Sequence, residues 1–128
     1  MHAMLAYVAT GRTQAAAALL QAAEGAATNG GSNGRMTREV GLPILRAVAA
    51  FGRERYRETV DLLMPVRYRA HIFGGSHAQR DILHRTLIEA ALRGGDHALA
   101  LALANERTEL KPHCPFSWGL RKRAWGLA

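Results

Sequence analysis

The sequence predicts an all-α protein made of successive helical hairpins, and three observations support this fold class. Apolar residues recur at helical spacing in six segments, a short opening helix is expected ahead of them, and no segment alternates with the period of a strand. Gly11, Gly52 and Gly95 separate paired helical segments and lie 41 and 43 residues apart. The length of 128 residues suits one domain, and Cys114, the only cysteine, excludes a disulfide-stapled scaffold.

The first predicted hairpin joins a short helix over 1–10 to an alanine-rich helix over 13–28. Gly11 breaks the helix, and Thr13 is a suitable N-cap for the next one. Helices joined by so short a turn must lie antiparallel. Residues 29–36 are rich in Gly and Asn, which tolerate left-handed backbone angles and bury no apolar surface, so we predict a flexible loop there.

The second predicted hairpin covers 37–51 and 54–64. Pro43 is acceptable in its first helix because it falls near the first turn, where its missing N–H does little harm. Pro65 ends the second helix, and 66–75 is predicted to be an irregular connector.

The third hairpin and a closing helix follow. Ser76 is a natural N-cap, completed by Gln79 as a capping box, and Asp96 caps the next helix. Pro115 then begins the last helix at a first-turn position. We expect this helix to cover the exposed core of the last hairpin, and to bury both tryptophans, Trp118 and Trp125, as packing residues.

The third hairpin has the residue spacing of a tetratricopeptide repeat, in which small side chains let paired helices approach closely. Two positions depart from that pattern, and the period exceeds the roughly 34 residues of the simple repeat. We therefore predict a tetratricopeptide-like solenoid of about seven helices in a single domain over 1–128, with HEAT-like repeats as the alternative. The matching residues are Leu87, Gly95, Asp96, Ala100 and Pro112, and the departures are Ile88 and Ala104.

A more specific resemblance covers most of the chain. The run 67–82 reads RYRAHIFGGSHAQRDI, and it is similar to the signature of the tetratricopeptide repeat protein 38 family. Segments 87–92, 102–107 and 110–118 resemble the closing part of that family. Its members are much longer, so the resemblance implies that this chain is a C-terminal fragment of a longer array. No catalytic residue carries over, and the resemblance leaves the function open.

The formal net charge is +7, from 17 Lys and Arg against 10 Asp and Glu. A basic excess of this size suggests nucleic acid or acidic peptides as partners. Fifteen of the cations are Arg and they are spread along the chain, which together with abundant Ala and Gly favours a codon bias over a selected surface. A short basic run, 121–123, stands beside Trp118 and Trp125. We rank nucleic acid below protein partners.

The main candidate binding site is a stripe on the first helix of the third hairpin. Arg85, Glu89 and Arg93 are spaced four apart and therefore share one helix face. In tetratricopeptide arrays the first helix of each hairpin lines the concave groove, where such a stripe can hold a carboxylate. The alternative is an exposed salt-bridge ladder.

A second candidate is the helix start formed by Gly75, Ser76, His77 and Arg80. Free backbone N–H groups there, together with His77 and Arg80, can hold a phosphate or carboxylate, and ordinary N-capping is the alternative.

No catalytic residue, metal site or cofactor is predicted. The pair His113–Cys114 has no third group to orient it as a nucleophile with its base. His71, His77 and His84 lack the further ligands of a zinc site.

We therefore predict a non-enzymatic scaffold that binds an unknown peptide or partner domain on its concave face. The alternatives are the C-terminal part of a larger enzyme and weak nucleic-acid binding. No stretch reaches the about 18 apolar residues of a membrane span, so we expect no membrane partner. The single cysteine suggests a cytoplasmic location. Self-association is expected through an apolar face of the first hairpin formed by Met4, Leu5, Tyr7, Val8, Leu19 and Leu20.

Overall fold

The computed structural model describes residues 1–73 and 76–127. This part of the chain is all-helical and contains no strand, which confirms the predicted class. A π-helical segment, Thr37–Gly41, joins two α-helical segments, and a 3-10 turn covers Ala70–Phe73. The α-helical segments are α1 (His2–Ala9), α2 (Thr13–Thr28), α3 (Gly31–Met36), α4 (Leu42–Gly52), α5 (Tyr56–Leu63), α6 (His77–Arg93), α7 (His97–Leu110) and α8 (Pro115–Leu127).

The loop predicted at 29–36 is wrong for residues 31–36, which form α3. Residues 31–52 are one continuous helical run, so the described residues form seven helices. Gly34 is buried, and its backbone lies so close to the carbonyl of Asn29 that no side chain would fit. Arg38 also donates from Nη1 to the carbonyl of Ala27 at 2.9 Å, which satisfies the end of α2. Gly34 therefore permits a close helical contact here.

The π-helical segment ends directly before α4, whose second residue is Pro43. Proline has no N–H to donate to the carbonyl four residues back, and its ring clashes with that carbonyl in a regular α-helix. The wider π turn removes this conflict, so that the helix continues through the proline.

Three inter-helix turns share one backbone conformation. Gly11, Glu54 and Gly95 have positive φ angles of 67°, 60° and 79°. In each turn, the amide of this residue bonds to the carbonyl three residues back, and the next amide bonds to the carbonyl five residues back. This is the Schellman arrangement, which satisfies the last carbonyls of a helix. The backbone repeat therefore runs through Glu54, with spacings of 43 and 41 residues.

Gly52, which the sequence aligned with the other turns, has a different role. A side chain at this position would collide with the methyl groups of Val8, so Gly52 lets α1 lie close against the end of α4. The sequence register was wrong by two residues because a glycine needed for packing resembles one needed for a turn.

Neighbouring helices pack in chain order. Helix α4 contacts α1 and α2 on one side, and α5 and α6 on the other. Then α6 contacts α7, and α7 contacts α8. One apolar cluster joins the first hairpin to α4 around Met4, Ala16 and Leu45. A second cluster runs from α4 to α8 and includes Ile44, Leu63, Leu87, Leu103 and Leu120.

Asp96 caps α7 as predicted, because its Oδ1 accepts from the amide of Leu99 at 3.0 Å. Thr13 does not cap α2. The N-cap position is Arg12, which has no side-chain capping bond, and Thr13 is the first helical residue.

Candidate functional site

The predicted stripe on α6 lies between α4 and α8. Glu89 accepts from Nε of Arg93 at 3.4 Å, so the expected i,i+4 ion pair is present. Arg123 of α8 also binds this carboxylate, with Nη1 donating to Oε1 and Nη2 to Oε2. Burial opposes ionisation of Glu89, but the bonds from Arg123 and Arg93 prevail and lower its pKa. Glu89 thus holds two guanidinium groups in place.

Arg85 does not take part in this ion pairing. Its guanidinium carbon lies 4.1 Å from the ring centroid of Phe116 in α8, and no described carboxylate is within salt-bridge distance of it. Arg93 is similarly 5.5 Å from the ring centroid of Phe51 in α4. A guanidinium stacked on a ring keeps its N–H donors at the edge, available to a ligand.

Together these residues form one surface with contributions from α4, α6 and α8. It has three guanidinium groups against one carboxylate, and two aromatic rings beside them. Hydrogen bonds that Arg93 donates to Tyr56 and Glu89 raise the pKa of Arg93, so it stays charged. We call it the arginine surface, and its residues are Phe51, Arg85, Glu89, Arg93, Phe116 and Arg123.

A buried ion pair that the sequence reasoning missed joins α6 to α7. Arg107 is only 2% exposed, and its two Nη atoms donate to the two carboxylate oxygens of Asp81 at 2.7 and 3.0 Å. Lys111 adds a bond to Asp81 at 2.6 Å. Arg107 above all, with Lys111, holds the pKa of Asp81 far below its usual range. A signal existed, since Arg107 follows Leu103 and Ala100 at helical spacing and therefore lies on the apolar face of α7.

A second polar group adjoins this pair in a cleft of about 220 Å³. Glu106 of α7 lies 3.4 Å from Nη2 of Arg67 and accepts from the hydroxyl of Tyr68 at 3.0 Å. His84 of α6 approaches Glu106 at 4.0 Å, but burial prevails and lowers its pKa. These groups mostly pair with one another, and they fasten the connector before α6 onto α6 and α7. We call this cleft, with Asp81 and Arg107, the charged clamp.

The predicted anion-binding helix start is only partly within the described residues. Gly75 lies outside them, as does the side chain of His77. Ser76 is exposed directly before α6, and its carbonyl accepts from the amide of Arg80 at 3.1 Å. The side chain of Arg80 is half-buried and lines the charged clamp. Anion binding at this helix start stays a prediction.

The tryptophans of α8 are exposed, contrary to expectation. Trp118 is 47% exposed and Trp125 is 68% exposed, while the inward face of α8 consists of Ser117, Leu120 and Ala124. The small inward residues bring α8 close to α7 and turn the large rings outward. Helix α8 covers the core of the last hairpin, but not with its tryptophans.

The apolar face expected on the first hairpin is also absent. Its large apolar side chains pack against α4, with Met4 fully buried. Within residues 1–73 and 76–127, the large apolar side chains that are exposed all lie from Tyr68 onward. The large apolar side chains of the first hairpin therefore do not form the exposed apolar face that the sequence predicted.

The remaining candidates are His71, His77 and His84 and the pair His113–Cys114, and the side chain of His77 lies outside the described part of the chain. Among residues 1–73 and 76–127, no three His, Cys, Asp or Glu side chains form a group that could hold a metal. Cys114 stands before α8, where hydrogen bonds with Ser117 lower the pKa of the thiol. No helix within the described ranges is long and apolar enough to cross a membrane.

No family model matches this chain, and no solved structure matches it.

Proposed function

We propose that this chain is a tetratricopeptide-like scaffold, without enzymatic activity of its own, that binds an acidic peptide or partner domain on the arginine surface. Three turns with the same pair of hydrogen bonds support this architecture. So does the first helix of the second and third hairpins, which packs on the preceding hairpin. Its resemblance to the tetratricopeptide repeat protein 38 family supports a place in the C-terminal part of a longer array. We place it in the cytoplasm, as its single cysteine suggests.

One observation carries the proposal: the guanidinium groups are fixed before any ligand arrives. Phe116 and Phe51 support Arg85 and Arg93, and Glu89 holds Arg93 and Arg123. Because less side-chain freedom is lost on binding, fixed donors bind a ligand more tightly than mobile ones. The excess of positive charge selects carboxylates, and planar guanidinium groups suit their two oxygens.

The test is the binding of a fluorescently labelled oligoglutamate peptide, measured by fluorescence anisotropy. We expect the double variant Arg85→Ala with Arg93→Ala to bind at least ~10-fold more weakly. The matched control is Arg12→Ala with Arg35→Ala, which removes the same charge from exposed arginines before α2 and in α3, outside the arginine surface. The control should change affinity by less than about 2-fold, since distant exposed charges are screened.

Two further outcomes decide between charge and geometry. Arg85→Lys with Arg93→Lys keeps the charge but loses ring stacking and paired donors, so we expect an intermediate affinity. Equal losses of affinity in the alanine and control variants would show that binding depends only on net charge. That result would contradict the proposal.

A further inference from the structure

The outer face of α8 presents a groove that the scaffold proposal does not use. It has a volume of about 270 Å³ and is lined by Trp118, Arg121, Lys122 and Trp125. The two tryptophans are seven residues apart, which places them on the same side of the helix about 10 Å apart along its axis. The two cations lie between them in sequence.

Two of these side chains are held in position. Nε1 of Trp118 donates to the carbonyl of Pro112 at 2.8 Å, which fixes the ring. Nε of Arg121 donates to Oδ1 of Asn105 at 2.7 Å, and its guanidinium carbon lies 5.2 Å from the ring centroid of Trp118. The terminal nitrogens of Arg121 are therefore positioned next to an exposed aromatic ring.

The charge of α8 limits which partners can bind to this face. The segment 115–127 contains three cations and no Asp or Glu. Pairing α8 with α8 of a second copy would bring these like charges together, which is unfavourable. The occupant must then be anionic.

The two exposed indole rings further limit which anionic partner can bind. An acidic peptide would satisfy the cations but would bring no planar groups to the indoles. A single strand of nucleic acid offers phosphates to the cations and bases that stack on the rings, each contact being tolerant of sequence.

We propose that the α8 face formed by Trp118, Arg121, Lys122 and Trp125 binds single-stranded nucleic acid without sequence preference. Phosphates bind Arg121 and Lys122, and bases stack on the two indoles.

The test uses labelled oligothymidylate and oligouridylate of about 12 nucleotides, a length within the usual range for such sites. Both tryptophans of the chain lie in α8, so binding should quench the intrinsic fluorescence. We expect Trp118→Ala and Trp125→Ala each to weaken binding about 10-fold. Trp125→Phe, which keeps a ring, should restore most of that affinity.

The cations are tested by salt dependence. Arg121→Gln with Lys122→Gln should reduce the slope of log K against log salt by about 1.4, the value for two single-strand phosphate contacts. Arg12→Gln with Arg53→Gln removes the same charge elsewhere and should leave the slope unchanged.

Three outcomes would overturn the proposal. The first is undiminished affinity in both tryptophan-to-alanine variants, and the second is equal loss of slope in the two charge variants. The third is a different occupant: a doubled mass in sedimentation that depends on the tryptophans, or displacement of the oligonucleotide from α8 by oligoglutamate at lower concentration.

Discussion

The turns of the first and last hairpins have the same hydrogen-bonding pattern, but the side chains of the two hairpins differ. Gly11 and Gly95 both have a positive φ angle, and their turns contain the same pair of hydrogen bonds. The first hairpin buries mainly small apolar groups, such as Ala16 and Ala23. The last hairpin encloses the Arg107–Asp81 pair and carries α8 with its exposed rings. The repeat thus sets the scaffold, while the chemistry is concentrated towards α6, α7 and α8.

The charged clamp gives the largest expected effect. Asp81→Asn leaves Arg107 buried without a counter-charge, so the free energy of unfolding should fall by about 3 kcal/mol. Asp61→Asn is the matched control because Asp61 is exposed on α5, and it should change stability by less than about 0.5 kcal/mol. Urea unfolding measures both. A similar small effect of the two substitutions would show that the last hairpin is no more dependent on polar groups than the rest.

The turns themselves offer a comparison of about 1 kcal/mol. Glu54 has a left-handed backbone without being glycine, so Glu54→Gly should raise the free energy of unfolding, by up to about 1 kcal/mol. Gly95→Ala places a side chain in the same conformation and should lower it by about as much. Thermal unfolding of the two variants therefore shifts in opposite directions. Shifts of the same sign would contradict the equivalence of the turns.

A smaller effect is a pH dependence of the last hairpin. Burial lowers the pKa of His84 in spite of the opposing charges of Glu106 and Asp81, so the folded protein favours the neutral ring. The unfolded chain binds a proton with an ordinary pKa of about 6.5. Stability is thus fully present above that pH and declines as the pH falls towards the folded pKa. His84→Gln should remove this decline below about pH 6.5, whereas His2→Gln, at an exposed position, should retain it.

Helical periodicity and capping patterns predicted the helices well because both depend on residues that are close together in the sequence. The periodicity located α2, α5 and α7, and the capping chemistry of Asp96 was correct. The spacing of Arg85, Glu89 and Arg93 also placed them on one face. These inferences need no knowledge of which helices meet.

The features that were not predicted depend on tertiary contacts, which a single sequence does not specify. The pairing of Glu89 with Arg123 spans 34 residues, and that of Asp81 with Arg107 spans 26. A glycine selected for packing, Gly52, was indistinguishable from a turn glycine. The orientation of Trp118 depends on how small residues bring α8 against α7.

Both proposed surfaces depend on the orientation of α8. With Ser117, Leu120 and Ala124 inward, Phe116 and Arg123 reach α6, and the tryptophans face outward. A rotation that buried Trp118 and Trp125 would carry Phe116 and Arg123 away from Arg85 and Glu89.

Acrylamide quenching of the intrinsic fluorescence tests this orientation most directly, since the two tryptophans of the chain are both in α8. The measurement compares dilute folded protein with protein unfolded in urea. We expect the folded protein to have a red-shifted tryptophan emission. Its quenching constant should approach that of the unfolded protein. A blue-shifted emission with strong protection from acrylamide would show buried indoles and contradict the placement of both surfaces.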